Sequence, residues 1–204
     1  MFNMETPNPY KKIANFLFEV GTMRKLPRMH QQVLLTQDLS DNIATHSYRV
    51  GLVAWFLAKL ENADPYKTTL MALTHDLGEI RSGDHNYIHK KYVKIFEDEI
   101  IKDQLGDLPF PDLFDMSTEF EKRESKEAIV AKDADMIDQI LLLKEYTHQG
   151  NQEASIWLHG KGEGQTENIQ YKSLKTESAK KLAEEIMAGK ISEWWEDLYT
   201  NKNR

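Results

Sequence analysis

Cysteine is absent from the 204 residues. Neither a disulfide nor a thiolate ligand is available, so any bound metal must be held by imidazole and carboxylate. No apolar run approaches the roughly 18 residues that a membrane-spanning helix needs. Residues 1–12 lack the pattern of a signal peptide, and the expectation is cytoplasmic residence with no membrane partner. Excess positive charge is also missing: 26 Lys and Arg stand against 33 Asp and Glu, a formal net charge of -7. That balance argues against a nucleic-acid polymer as partner, because phosphate backbones are met by a basic field. A small phosphorylated molecule needs only a local cluster of positive charge, and remains allowed. Strand-length alternation of apolar and polar residues is absent, as is any internal repeat. The glycines at 160, 162 and 164 lack the Lys-Ser/Thr ending and preceding strand of a phosphate-binding loop, and read as a plain loop.

What remains is helical. Hydrophobic residues make up 40% of the chain, enough for a real core, and the length suits one domain with a short extension. Helical spacing of Ile13, Phe16, Leu17, Val20 and Met23 predicts a first helix from Pro9. Residues 29–42 carry no clear period. A second helix is predicted over 43–61, with His46, Val50, Val53, Ala54, Leu57 and Leu60 on one side. Asp64-Pro65 is an N-cap followed by proline at the first helical position. It starts a third helix, predicted to run through His75-Asp76 to about Ile80. A polar loop is expected over 84–91, then helices over 92–105, 111–122 and 125–148. The stretch 150–171 is the least regular, with a short helix around 154–159. Helices over 176–188 and 191–199 close the chain. The predicted fold class is all-α, one domain over 1–204, with a motif-bearing core at about 13–150 and C-terminal helices at about 151–204.

Chemistry concentrates in residues 68–85. The apolar run Leu70, Met71, Ala72 and Leu73 leads into His75-Asp76, and Glu79 follows one turn later. Residues three and four apart share a helix face, so Glu79 stands over both. An imidazole beside a carboxylate at the end of a buried helix is costly to desolvate unless a cation repays it. Such a pair alone is more often a satisfied polar pair. Its company changes that: His46 opens an earlier amphipathic helix, and Asp135 sits among core positions of a later one, an odd place for an unpaired carboxylate.

His46, His75-Asp76 and Asp135, in that order, resemble the H…HD…D pattern of the HD superfamily of metal-dependent phosphohydrolases. More closely the chain resembles the HD-domain 5'-deoxynucleotidases, through His75-Asp76-Leu77-Gly78-Glu79, Gly83-Asp84 and Lys132-Asp133-Ala134-Asp135. The resemblance implies an HD-domain helical bundle holding one divalent ion on His46, His75, Asp76 and Asp135. Two neutral nitrogens and two anionic oxygens suit Mn, Co, Fe, Ni or Zn better than Mg. It further implies a small phosphorylated substrate, a nucleotide, and a homodimer. Glu79 would orient or deprotonate water, act as acid toward the leaving oxygen, or orient His75. Asp84 would bind substrate, move a proton, or simply form a turn. Arg28 and Lys132 match positions that meet phosphate, and Lys132 could equally pair with the ligand shell.

Three departures stand out: Thr45 replaces an acidic residue before the first ligand, Met29 replaces a tryptophan beside Arg28, and 85–92 lacks a proline-containing sequence. They put the preference for deoxyribose in question. His85 and His89 could hold a second ion, but Lys90 and Lys91 make that loop read as a solvated, phosphate-facing surface. Trp157, Trp194, Trp195 and Tyr199 read as core or dimer contacts rather than a base-stacking platform. The alternatives are another HD phosphohydrolase acting on nucleoside triphosphates or other small phosphoesters, and a non-catalytic HD ligand-binding module.

Overall fold

The computed structural model describes residues 8–160 and 168–198, with Thr200 and Lys202. The expected loop over 161–164 and Tyr199 lie outside the described residues. Among those described, the helices are α1 (Pro9–Val20), a 3-10 turn (Gly21–Lys25), α2 (Gln31–Leu34), α3 (Ile43–Glu61), α4 (Pro65–Thr74), α5 (Glu79–Ser82) and α6 (Tyr87–Tyr92). They continue as α7 (Glu97–Leu105), α8 (Asp112–Lys122), α9 (Lys126–His148), α10 (Gln152–His159), α11 (Ile169–Ser173), α12 (Glu177–Ala188) and α13 (Glu193–Glu196). Only one isolated antiparallel bridge, Pro27 to Asn42, pairs extended backbone among the described residues. The fold is all-α.

α9 is the central post. Ala128, Val130, Ala134, Ile137, Ile140 and Leu143 are buried around its whole circumference, which is how a helix enclosed by others must read. It packs against α3, α4, α8, α10, α11 and α12. α3 and α4 also pack on each other, so the three helices bearing the HD-pattern residues lie together. Burying each large aliphatic, such as Leu57 or Ile137, is worth about 1.5–3 kcal/mol. A second, smaller apolar cluster of Met23, Ile43, Leu77 and Leu105 sits under α1 and α7.

Local signals set the helix starts. Asn42 and Thr45 form a reciprocal capping box at α3, while Asp64 accepts from Tyr66 and Lys67 at α4. Ser125 caps α9 through Ala128. The expected bounds of α3, α8 and α9 agree with the structure to within about a residue.

Other expectations need correction. α4 stops at Thr74, before the predicted end at Ile80, because the chain tightens: Leu77 N–H bonds Thr74 C=O and Glu79 N–H bonds Asp76 C=O. These three-residue bonds keep the backbone right-handed but eclipse residues i and i+3, stacking Glu79 over Asp76. The expected loop over 84–91 contains α6, capped by the Asn86 side chain, and the helix expected from Tyr92 begins only at Glu97. Residues 29–42 hold α2, and the irregular stretch before Tyr171 holds α10 and the start of α11. Leu17 and Leu60, expected on buried stripes, are 60% and 64% exposed.

Candidate metal centre

α3 supplies His46, the tight turn after α4 supplies His75 and Asp76, and α9 supplies Asp135. Donor atoms of His46, His75 and Asp135 all lie within 4.8 Å of one another. Asp76 borders that group with a separate oxygen toward each ring: Oδ2 is 3.4 Å from His46 Nε2 and Oδ1 is 3.1 Å from His75 Nε2. Asp135 Oδ1 lies 3.3 Å from His46 Nε2 and 3.8 Å from His75 Nε2. Donors held about 2.0–2.2 Å from one ion lie roughly 3–4 Å from each other.

The imidazoles are oriented for this arrangement. His46 Nδ1 is 2.6 Å from Asp138 Oδ2, and His75 Nδ1 is 2.7 Å from the Ala72 carbonyl. Each acceptor holds a proton on Nδ1 and turns Nε2 toward the cluster. Both Nε2 atoms are buried and without a hydrogen-bond partner. Burial pushes the His75 imidazole below its usual value, so it is neutral and its 3.1 Å approach to Asp76 is no ion pair. A lone pair and a carboxylate facing each other inside a protein repel unless a cation stands between them. The donor set therefore fits a divalent ion. Burial and Arg28 pull His46 down, yet Asp135, Asp138 and Asp76 together hold it well above its usual value; without an ion, a proton fills that place. Burial would raise Asp76 and Asp135, but the charges of His46 and Arg28 hold the first low, and those of Lys132 and His46 the second.

Asp138 was not anticipated. It stands one turn after Asp135 on α9, buried, and Arg49 binds it through Nε while reaching Glu145 Oε1 at 2.6 Å. A second carboxylate at i+3 within an apolar helix was the signal in the sequence. Asp133, two residues before Asp135, points elsewhere and accepts from the backbone N–H groups of Lys175 and Thr176 at 2.9 and 2.7 Å.

The remaining expected residues fall around the cluster. The Pro27–Asn42 bridge and the Arg28 N–H to Asp41 carbonyl bond fix the Arg28 backbone. Its buried guanidinium lies 3.7 Å from Asp76 and 3.6 Å from Asp84, and its Nε and Nη1 have no hydrogen-bond partner. Gly83 has φ 81 and ψ 159, a conformation close to glycine-only, and it swings Asp84 onto the Met29 N–H at 2.5 Å. Glu79 is half-buried, with its Oε2 fully buried and unpartnered. Burial, then Asp76 and Asp84, push its carboxyl up to about 9. Lys132 pairs with Asp135 at 2.6 Å. Thr45, where an acidic residue was expected, is the capping partner of Asn42.

His30, left without a partner by the sequence, is buried against Asp41 at 2.7 Å. His85 and His89 stack edge-on at 5.7 Å, and the one group of metal-binding geometry among the described residues excludes them. Arg123 is the other unanticipated residue. It ends α8 in a left-handed conformation, φ 55, and lies 3.2 Å over the Phe120 ring, which packs edge-on against His75.

Two cavities open beside Asp76. One, of about 220 Å³, is lined by Arg28, Glu79, Asp84, Lys90 and Trp157. The other, of about 160 Å³, is lined by His75, Phe120, Arg123 and Ile100. Asp76, Glu79, His85, Lys90 and Lys132 border both.

This helical frame with an H…HD…D cluster at its centre defines a class. The chain belongs to the HD domain family of phosphohydrolases, which matches residues 20–187. Within it the chain stands in a 5'-deoxynucleotidase-like branch. The 5'-deoxynucleotidase HDDC2 of Dictyostelium discoideum is 31% identical over 128 residues, spanning 56% of this chain and 67% of that protein. The Homo sapiens protein of the same name is 28% identical over 145 residues, 67% of this chain and 69% of that one. A conserved hypothetical protein from Pyrococcus furiosus shares the fold with a TM-score of 0.69 at 24% identity, over 85% of this chain and 98% of that chain.

Proposed function

We propose that the protein is a metal-dependent phosphomonoesterase that hydrolyses nucleoside 5'-monophosphates, with one divalent ion on His46, His75, Asp76 and Asp135. The observation that supports it most is a single buried locus. Two outward-turned imidazole nitrogens, two carboxylates and the unpartnered guanidinium nitrogens of Arg28 meet there beside Glu79. A bound ion would polarise the phosphoryl group and lower the pKa of the attacking water. Arg28 presents a planar fork that matches phosphate oxygens and offsets charge developing on them. Asp84, 3.6 Å from Arg28 Nε, steadies that fork, and Lys132 lines both cavities.

In the reaction a water oxygen bonds to phosphorus while the bond to the 5'-oxygen breaks. The leaving oxygen needs a proton, and Glu79 is placed to give one. The neighbouring carboxylates and burial favour its protonated form; an ion beside Asp76 cancels part of that repulsion and leaves burial as the residual push. We also propose a homodimer. Leu52, Phe56 and Leu60 of α3 and Tyr66 and Leu70 of α4 are exposed apolar side chains on two helices packed together, more of them than the Trp194–Trp195 pair on α13.

The deciding experiment is a phosphatase screen of metal-stripped protein, with each divalent ion added back singly. Turnover of nucleoside monophosphates that depends on the added ion is the expected result. A protein that binds an ion yet hydrolyses no phosphomonoester under any of them is a binding module, and the reading falls.

A further inference from the structure

The larger cavity extends beyond what a phosphate occupies, and its wall changes character away from Arg28. Tyr87 of α6 and Trp157 of α10 meet there, ring centroids 5.6 Å apart and planes at 55°. Met136 lines the same cavity, as do Gln139 of α9 and Gln170 of α11. Neither glutamine side chain hydrogen-bonds another described residue. The sequence alone made Trp157 a core or dimer residue. Part of its ring does pack against the core, but the rest faces the cavity shared with Arg28, Asp76 and Glu79.

Two aromatic rings offer a planar heteroaromatic group a stacking surface, and any base has a face to use it. Each glutamine amide carries one acceptor and two donors, which suits the mixed edge of a nucleobase. A sugar phosphate without a base would leave both rings and both amides in contact with water. We infer that Tyr87, Trp157, Gln139 and Gln170 form a nucleobase subsite, which makes the enzyme select base-bearing phosphomonoesters over base-free ones. Stacking supplies the affinity, and an amide can rotate to exchange donor and acceptor, so the subsite tolerates several bases. The inference rests on the phosphohydrolase reading, and it assigns specificity to α6 and α10, outside the cluster.

The test compares a nucleoside monophosphate with 2-deoxyribose 5-phosphate, the same phosphoester lacking the base, on the ion-loaded full chain. Wild type should prefer the nucleotide in kcat/KM. Trp157→Ala should lower that preference ratio roughly 10- to 100-fold, the range of one lost base–aromatic stack, mainly through KM for the nucleotide. Trp157→Phe should restore most of it. Tyr87→Ala, at a residue 62% exposed, gives the same readout should the Trp157→Ala chain fail to fold. An unchanged ratio in the Ala variants, or no preference in wild type, overturns the subsite while the phosphatase reading stands. Failure of that reading shows differently, as no turnover of either compound. Nucleotide binding followed by tryptophan fluorescence then decides the subsite, and absence of a Trp157-dependent change overturns it.

Discussion

His46 carries its proton on Nδ1 because Asp138 accepts it, and that bond leaves Nε2 free to face Asp76 and Asp135. Asp138 is itself held by Arg49, so ring orientation depends on a chain of three side chains. Asp138→Asn removes the charge while keeping the shape. The expected outcome is a 10- to 100-fold weaker affinity for the ion, about the usual cost of losing such a partner, with activity recovered at excess metal. Titration of metal content beside kcat checks it, and an unchanged affinity would show that the ring needs no carboxylate. Glu79 asks a different question. Glu79→Gln should keep the ion and lose about 10²–10⁴ in kcat, whereas Asp135→Ala should lose ion and activity together. As an acid, Glu79 works only while protonated, so activity falls as pH rises through its folded pKa. That alkaline limb belongs between the ordinary 4.5 and about 9, and below 9 once the ion offsets Asp76. A pH–rate profile that is flat or still rising over that span would take the proton away from Glu79.

Among the elements, the turn after α4 and the post α9 matter most. Three-residue hydrogen bonds over 74–81 bring Glu79 above Asp76; a continued α-helix would have set it between His75 and Asp76 on a shared face. On α9 a single buried side chain anchors the C-terminal helices. Asp133, 1% exposed, accepts from Lys175 N–H, Thr176 N–H and the Thr176 hydroxyl, tying the start of α12 to the post. Removing a buried acceptor strands those donors, at about 1–3 kcal/mol. Asp133→Ala should therefore lower stability to urea by that amount. Because the residue lies off the cluster, bound metal should stay; metal loss at full stability would reassign Asp133 to the site.

At the scale of the molecule, the apolar face on α3 and α4 has no cover among the described residues. Phe56 is 59% exposed, Leu60 64% and Tyr66 81%, and exposed apolar side chains gathered in this way mark an interaction surface. Phe56→Asp places a charge in its middle. Sedimentation should then show wild type as a dimer and the variant as a monomer, with the helical spectrum retained. A wild-type monomer at tens of micromolar would end the dimer proposal. No helix among the described residues is long and apolar enough to cross a membrane.

What the sequence determined by itself was written in short-range chemistry. The bounds of α3, α8 and α9 follow from apolar spacing and from Asn42 and Ser125 as caps, all local. The order His46, His75-Asp76, Asp135 was legible because residue type and spacing survive without coordinates. Short helices such as α2, α6 and α11 escaped, since four to six residues are too few to show a period. The tertiary structure alone decided the rest. The bond from His46 to Asp138 spans 92 positions, and the pairing of Tyr87 with Trp157 joins α6 to α10. Periodicity says which face of a helix is buried, but not which side chain of another helix it meets. That choice belongs to the packing of α3, α4 and α10 around α9 and of α6 beside α10, where distant residues come within ångströms.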